Sequence, residues 1–352
     1  MLDPLAVLGA APAGDRLARI TRSPNYRDGK FQNPIPGSMM QKGSFWDSMR
    51  RQFLGKEQRA PKGRIPVVPL TREAFATPPA SGLRVTWMGH SSTLIEIDGY
   101  RVLVDPVWGT RASPSQLVGP KRFHPTPMTL KELPALDVVI ITHDHFDHLD
   151  MDAVRTLARD PAQHRVQWVT TIGVGAHLEH WGVAATRITE LDWGDAARVG
   201  SLTITAQPAR HFSGRTLKRD QTLWASWVIA GPTHRVFHSG DTGFFDGLGD
   251  IGTKHGPFDL TMIKIGAYGE TWPDIHLDPE QALRVHAMIG GKVLLPIHWG
   301  TFNLAFHEWT EPARRLVAGA QADGATIVMP TPGQLVEPSE LPPLDLWWER
   351  VG

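Results

Sequence analysis

The chain contains no cysteine among its 352 residues. This absence excludes a disulfide framework, a thiol nucleophile and a thiolate metal site. Any metal ion in this protein would have to be bound by histidine, aspartate or glutamate, a ligand set that favours zinc, iron or manganese over copper(I). The compartment stays open, because a chain without cysteine is compatible with either redox environment.

The sequence also lacks a long hydrophobic run. No stretch approaches the roughly 18 to 20 apolar residues that a membrane-spanning helix requires. The first residues, MLDPLAVLGAAPAGDRLARI, have no basic n-region and include Asp3, so they do not resemble a signal peptide. We therefore expect a cytoplasmic or peripheral-membrane protein.

The formal net charge is zero, but the charges are unevenly distributed. Residues 1–70 carry twelve Lys and Arg against five Asp and Glu, a balance of +7, so the remainder sums to −7. The simpler interpretation is a solvated surface segment, and the alternative is contact with phosphates or an anionic lipid surface. An apolar face at Phe45, Trp46 and Phe53, beside two arginines, suits peripheral membrane contact. Nucleic acid is not expected as a partner, because the rest of the chain offers no basic stripe.

The chain divides into two segments of different texture. Residues 1–80 are rich in Pro, Gly, Arg and Lys, which predicts an N-terminal extension wrapping a core, with one amphipathic helix near 44–54. Residues 81–352 contain two strand-rich stretches accompanied by helices, ending in a strand at ATIVMP, 325–330. The predicted class is α/β, with two facing mixed sheets and helices outside.

The stretch THDHFDHLD, residues 142–150, crowds histidine and aspartate directly after the apolar strand LDVVII. His143 and His145 are two residues apart, so both imidazoles project to one side of an extended strand end. Asp147 and His148 follow where the chain turns into a helix. Four titratable groups this close would be costly unless a cation offsets their desolvation. The spacing H-x-H-x-D-H therefore predicts a metal site.

Three more candidate ligands each follow a predicted strand, where loops display functional side chains. They are His211 after LTITAQPAR, Asp241 after HRVFHSG and His298 after KVLLPI. The full set of five histidines and two aspartates is enough for two metal ions, with an open position for water on each and one bridging aspartate.

These motifs, in this order, resemble the metallo-β-lactamase superfamily of binuclear metallohydrolases. Longer stretches, including SPNYRDGKFQNP, PARHFSGRTL, HSGDTGFF, HLDPEQALRVH and IHWGTFNLA, are similar to the family of N-acyl-phosphatidylethanolamine-hydrolysing phospholipases D. The similarity extends over about residues 23 to 310. It implies the metallo-β-lactamase αββα sandwich for residues 81–352, and a homodimer.

The resemblance also implies how the ligands divide between two divalent cations, with zinc expected and iron or manganese as alternatives. The first metal would be bound by His143, His145 and His211, the second by Asp147, His148 and His298, and Asp241 would bridge both. Di-iron relatives that reduce oxygen or nitric oxide resemble H-x-E-x-D, with glutamate in place of His145. The histidine here favours hydrolysis over redox chemistry.

The resemblance assigns catalytic roles to Asp147 and His276. His276 lies just before a predicted helix, where it would contact substrate or protonate a leaving oxygen, or alternatively only cap the helix near Asp278. Four further residues are candidates for contact with a ligand residue or with substrate: Asp105, His90, Arg215 and Tyr268. Asp105 could orient a metal-bound imidazole or be only a turn aspartate, and Arg215 could face a phosphate or be a surface arginine.

The implied activity is a phosphodiesterase of phospholipase D type, acting on N-acyl-phosphatidylethanolamine or a related phosphodiester through a metal-bridging hydroxide. One alternative is a lactone or ester hydrolase using the same site, and a remote one is a metal-stabilised scaffold without turnover. The segment between Tyr268 and His276 is shorter than the phospholipase resemblance predicts. An acyl-chain groove is therefore not implied as firmly as the metal site.

Overall fold

The computed structural model describes residues 5–37, 50–51 and 54–352. The N-terminal arm, residues 5–37, contains helix α1 (Gly14–Arg22) and a hairpin of β1 (Tyr26–Arg27) and β2 (Lys30–Phe31). The hairpin turns at Asp28 and Gly29, both with positive φ, which is the turn that an Asp-Gly pair favours. Ile20 and Phe31 anchor the arm by packing against Trp224 and its apolar neighbours.

A seven-stranded mixed sheet forms one half of the core, with the order β15-β3-β4-β5-β6-β7-β8. Its strands are β3 (Leu83–Gly89), β4 (Ser92–Ile97), β5 (Tyr100–Val104), β6 (Val138–Ile141), β7 (Gln167–Thr171), β8 (Ile188–Leu191) and β15 (Leu335–Val336). The four strands β5, β6, β7 and β8 pair with one another in parallel. Helices α2 (Met151–Arg159) and α3 (Gly175–His180) connect its strands.

A six-stranded mixed sheet forms the other half, with the order β14-β13-β12-β11-β10-β9. Its strands are β9 (Ala196–Val199), β10 (Leu202–Gln207), β11 (Ser226–Ala230), β12 (Arg235–His238), β13 (Phe258–Lys264) and β14 (Gly291–Ile297). The accompanying helices are α4 (Leu248–His255), α5 (Pro279–Met288) and α6 (Glu311–Asp323). This confirms the predicted class of two mixed sheets with helices outside.

Strand β6 shows how the layers are organised, because all four of its side chains are buried. Val138 and Ile140 belong to the core between the two sheets, whereas Val139 and Ile141 pack on the outer face with residues of α2 and α3. Alternate side chains of a strand point to opposite faces, so a continuous apolar run is required where both faces are covered.

Most predicted elements are present, but the strand at ATIVMP is wrong. Ile327 makes only an isolated bridge with Leu294, and the chain then enters Pro330 and Pro332, which cannot donate hydrogen bonds to a sheet. The short elements α1, β1, β2, β9, α4 and β15 were not predicted. The helix expected near 44–54 lies largely outside the described residues. No helix in the described ranges has the length and apolarity to cross a bilayer.

Candidate metal centre

The histidine- and aspartate-bearing loops leave the ends of strands in both sheets. His143 follows β6 after a single residue, and His298 follows β14 directly. His211 and Asp241 come a few residues after β10 and β12. Asp150 caps α2 by accepting hydrogen bonds from two backbone amides, and so closes the loop that carries the other ligand candidates.

The structure brings all seven predicted ligands together and adds His90 and His276 to them. Ligand atoms lie within 4.8 Å of one another in four groups: His143, His145 and His211; His143, His148 and Asp241; His90, Asp147, His148 and His298; and His211, Asp241 and His276. Most of these side chains are almost fully buried. Asp147 is the most open of the carboxylates, with 16% of its side chain exposed.

In the first group, hydrogen bonds at the back of two rings determine which nitrogens carry protons. The Thr142 hydroxyl donates its proton to Asp105, so it accepts from His143 Nδ1 at 2.9 Å. His211 Nδ1 donates to the carbonyl oxygen of Ile275 at 3.0 Å. Both Nε2 atoms are therefore bare lone pairs, and they converge on His145 Nδ1 at 2.9 and 3.2 Å.

Among the residues expected to bind a second metal ion, His148 also makes a hydrogen bond at the back of its ring. His148 Nδ1 donates to Asp105 Oδ2 at 2.7 Å, and its Nε2 atom faces Asp241 Oδ2 at 3.4 Å and Asp147 Oδ2 at 3.6 Å. His298 Nε2 lies 3.0 Å from the same Asp241 oxygen. Asp241 therefore stands between the two groups, as expected of a bridging ligand.

These atoms fit a metal ion because the cluster consists mainly of acceptors. His148 Nε2, His298 Nε2 and Asp241 Oδ1 are buried and make no hydrogen bond within the described residues. Each buried polar atom left unpaired costs about 1–3 kcal/mol. A cation removes that cost for several of them at once, and the set of imidazole and carboxylate donors suits zinc, iron or manganese.

The electrostatics of the cluster also call for positive charge. Burial disfavours a charged His148, yet the carboxylates of Asp241, Asp147 and Asp105 raise the pKa of His148 well above its ordinary value. Burial would raise the pKa of Asp241, but His298 and His148 hold it well below its usual range. Asp241 is therefore an anion ready to bind a cation.

His90 and His298 are held in unusual backbone conformations, with φ values of 53° and 61°. The His298 amide donates to the carbonyl oxygen of His90, and the His90 amide donates to the Thr301 hydroxyl. Left-handed backbone at a residue other than glycine carries a cost and is maintained by surrounding contacts. His90 Nε2 lies 3.0 Å from Asp147 Oδ2, so His90 orients a candidate ligand as well as belonging to a possible ligand group.

His276 stands between the cluster and a cavity of about 510 Å³. Its Nδ1 lies 4.0 Å from Asp241 Oδ2, and its side chain is 12% exposed. Tyr268 lines the same cavity and donates a hydrogen bond to Glu311 Oε1 at 2.6 Å. Both residues therefore line the cavity that borders the cluster. The helix cap suggested as an alternative role for His276 is made by Asp278.

Asp105 and Arg215 lie beside the cluster in different ways. Asp105 accepts from His148 and from the Thr142 amide and hydroxyl, so it holds the ligand loop after β6 at two points rather than making only a turn. Arg215 is buried, and its guanidinium donates to the carbonyl oxygens of Val7, Asp144 and Leu149. That geometry does not place Arg215 against a substrate phosphate, and it is not a surface arginine.

Two contributors were not found from the sequence. Thr142 aligns the His143 ring through its hydroxyl, and Asn33 bonds to the backbone of His211. Asn33 lies in the quoted motif SPNYRDGKFQNP, but nothing in the motif pairs it with His211. The partner could be found only from the fold.

A mixed-sheet sandwich with a buried histidine and aspartate cluster at its strand ends defines a metal-dependent hydrolase. Residues 100–299 match the family described as a beta-lactamase superfamily domain. The chain belongs to the metallo-β-lactamase superfamily and is close to the N-acyl-phosphatidylethanolamine-hydrolysing phospholipases D, which confirms both the resemblance and the αββα fold.

Three comparisons illustrate this placement. The chain is 48% identical over 352 residues to an uncharacterized protein of Mycobacterium tuberculosis, covering 97% of this chain and 92% of the relative. It is 36% identical over 275 residues to N-acyl-phosphatidylethanolamine-hydrolyzing phospholipase D 1 of Caenorhabditis elegans, covering 75% and 76%. The structure of Igni18, a metallo hydrolase from the archaeon Ignicoccus hospitalis, aligns with a TM-score of 0.55 and 25% identity over 72% of this chain and 97% of that one.

Replacing Asp105 by Asn should weaken metal binding by roughly 10- to 100-fold, the range typical of a lost outer-shell partner. Asn tolerates the left-handed backbone at φ 44°, so the change removes the carboxylate without adding strain. The measurement is zinc affinity by competition with a chelator.

The chain offers a matched control. Asp98 also has a positive φ, of 49°, and lies 2.7 Å from the Nδ1 atom of His234, away from the cluster. Asp98→Asn should leave zinc affinity unchanged. Equal affinities for both variants would show that Asp105 does not support the metal centre.

Proposed function

We propose that this protein is a binuclear metal-dependent phosphodiesterase of phospholipase D type, acting on N-acyl-phosphatidylethanolamine or a related phosphodiester. The observation that supports it most is the convergence of bare imidazole lone pairs and two carboxylates from both sheets on one buried space. The similarity to the Caenorhabditis elegans phospholipase supports the substrate class.

In this proposal the candidate ligands divide between two metal ions as the family resemblance implies. His143, His145 and His211 would hold one divalent cation, Asp147, His148 and His298 a second, and Asp241 both. Zinc is the proposed metal, with iron or manganese as alternatives. Two such cations supply Lewis acidity toward a phosphoryl oxygen and activate water.

The protein's own side chains would position the reactants. Asp105 and Thr142 fix the orientation of the His148 and His143 rings, and burial of the cluster restricts access of bulk water. His276 would contact the substrate, because among the residues that line the cavity it alone also belongs to the cluster. Burial and the charge of Lys264 hold the pKa of His276 well below its ordinary value, so a neutral imidazole would make this contact. Asp147 would take part in catalysis from the more open side of the cluster, where its carboxylate lies 3.0 Å from His90 Nε2.

A lactone or ester hydrolase is a second candidate, and the cavity beside His276 favours it. Its described lining is rich in charged and polar side chains: Arg51, Glu57, Tyr268, Glu270, Asp278, Glu311 and Arg315. Such a lining suits a small polar substrate better than an acyl chain. The residues expected to form an apolar face, Phe45, Trp46 and Phe53, lie outside the described residues.

Hydrolysis assays with metal-replete protein test the proposal. Three substrates are compared: N-acyl-phosphatidylethanolamine in detergent, a soluble bis-aryl phosphodiester, and a lactone. Release of phosphatidic acid from the lipid is the expected result. Cleavage of the soluble phosphodiester alone would keep the phosphodiesterase and exclude the lipid, and cleavage of the lactone alone would establish the second candidate.

Asp241→Asn should remove activity and weaken the binding of both metal ions, because the Asp241 carboxylate stands between the two groups of candidate ligands. We expect metal affinity to fall by more than the roughly 10- to 100-fold that is typical when a residue supporting a ligand is replaced. Metal content and kcat are measured together on the same preparation. Retained turnover with two metals bound would contradict the bridging role.

His276→Ala should lower kcat while metal content stays the same, because the ring would contact the substrate from the wall of the cavity. His255, a partly buried histidine of α4 bonded to Gln207, provides the control, and His255→Ala should retain full activity. An empty metal position in His276→Ala would instead make His276 a ligand, grouped with His211 and Asp241.

A further inference from the structure

The N-terminal arm touches one candidate ligand directly. The Asn33 side chain donates from Nδ2 to the carbonyl oxygen of His211 at 2.8 Å and accepts from the His211 amide at 2.8 Å. The primary amide thus pairs with both backbone groups of His211, as a neighbouring strand would. With the Nδ1 bond to Ile275, the backbone and the ring of His211 are both fixed.

Arg215 links a second part of the arm to the other ligand loop. Its Nη1 donates to the carbonyl oxygens of Asp144 and Leu149, both at 2.8 Å, which lie on either side of His145, Asp147 and His148. Its Nη2 and Nε donate to the carbonyl oxygen of Val7 at 2.7 and 3.2 Å. The guanidinium also lies 4.0 Å above the Phe146 ring. Arg215 therefore holds the ligand loop and the arm together.

The arm is itself held by close contacts at residues 6–10. The Trp181 indole donates to the carbonyl oxygen of Ala6 at 2.7 Å, and the Ala10 amide donates to His177 Nδ1 at 3.0 Å. Gly9 has φ 79° and presses on His177, so that a Cβ atom there would lie 2.0 Å from His177 Nδ1. Only glycine allows this approach.

We propose that the N-terminal arm stabilises the metal centre. Asn33 of the arm, and Arg215, which bonds to the arm from the core, are positioning residues that determine how tightly the metal is bound. The ligand loops are irregular chain, so without these bonds metal binding would have to order them at a cost in conformational entropy. This inference rests on the metal site of the proposed function but not on its substrate.

Asn33→Ala tests the direct contact in the full-length chain. Zinc affinity of metal-stripped protein, measured by chelator competition, should fall by roughly 10- to 100-fold. Asn25 lies in the same arm and donates to Asp192 Oδ1 at 2.7 Å, away from the ligands. Asn25→Ala should therefore lower thermal stability while leaving zinc affinity within about twofold, a difference well below the outer-shell range.

Gly9→Ala tests the linkage through Arg215 without altering any residue that touches a ligand. The added methyl group should displace residues 6–10 and weaken zinc binding by the same roughly 10- to 100-fold. Gly14 provides the matched control, because it also has a positive φ, of 54°, and a Cβ atom there would meet no other atom within 4 Å. Gly14→Ala should leave zinc affinity at the wild-type value.

Unchanged zinc affinity in both Asn33→Ala and Gly9→Ala would overturn the proposal. Equal losses in Asn33→Ala and Asn25→Ala would also overturn it, since the arm would then act only through general stability. A wild-type chain that binds zinc but does not cleave N-acyl-phosphatidylethanolamine would refute the proposed substrate alone. A wild-type chain that binds none of zinc, iron and manganese would refute both proposals.

Discussion

The structure depends on a concentration of hydrogen-bond acceptors in a space that water barely reaches. His143 and His211 each use their only ring N–H, at Nδ1, to donate a hydrogen bond away from the cluster, so both present an unprotonated Nε2 to the cluster. Asp241 adds a buried carboxylate between the two groups. Without a cation this arrangement is costly, because unpaired buried acceptors lose their hydration. The hydrogen bonds behind the rings therefore turn unprotonated nitrogens toward the place where a metal ion would be bound.

The two sheets cannot be considered separately at this site. His143 and His148 come from the loop after β6, while Asp241 and His298 follow strands of the opposite sheet. The inter-sheet core therefore determines the spacing of the ligands, and interiors are too closely packed to let that spacing drift. The positive φ values at Asp105 and His298 indicate that tertiary contacts, not local preference, hold these residues.

The clustering of the candidate ligands could be predicted from the sequence because their spacing is local and their chemistry is rare. H-x-H-x-D-H is visible in six residues, and each remaining ligand follows an apolar strand. The supporting contacts could not be predicted, since Asn33 bonds to a backbone 178 positions away and Arg215 reaches Val7 across 208 positions. Backbone carbonyls carry no sequence signal. Short elements such as β9 were missed for a related reason, because four residues give little periodicity.

In the proposed function, different parts of the chain would determine metal binding and substrate choice. The ligand cluster lies in buried loops at strand ends, whereas the cavity beside His276 is lined by residues of the loop from Tyr268 and of helices α5 and α6. A change in that loop can alter the cavity while the ligands stay in place, since function depends on the site and its pocket rather than on the fold. Similarity across the family thus supports the hydrolytic centre more strongly than any acyl-chain preference. A lipid substrate would have to bind in a cavity that is lined by charged side chains.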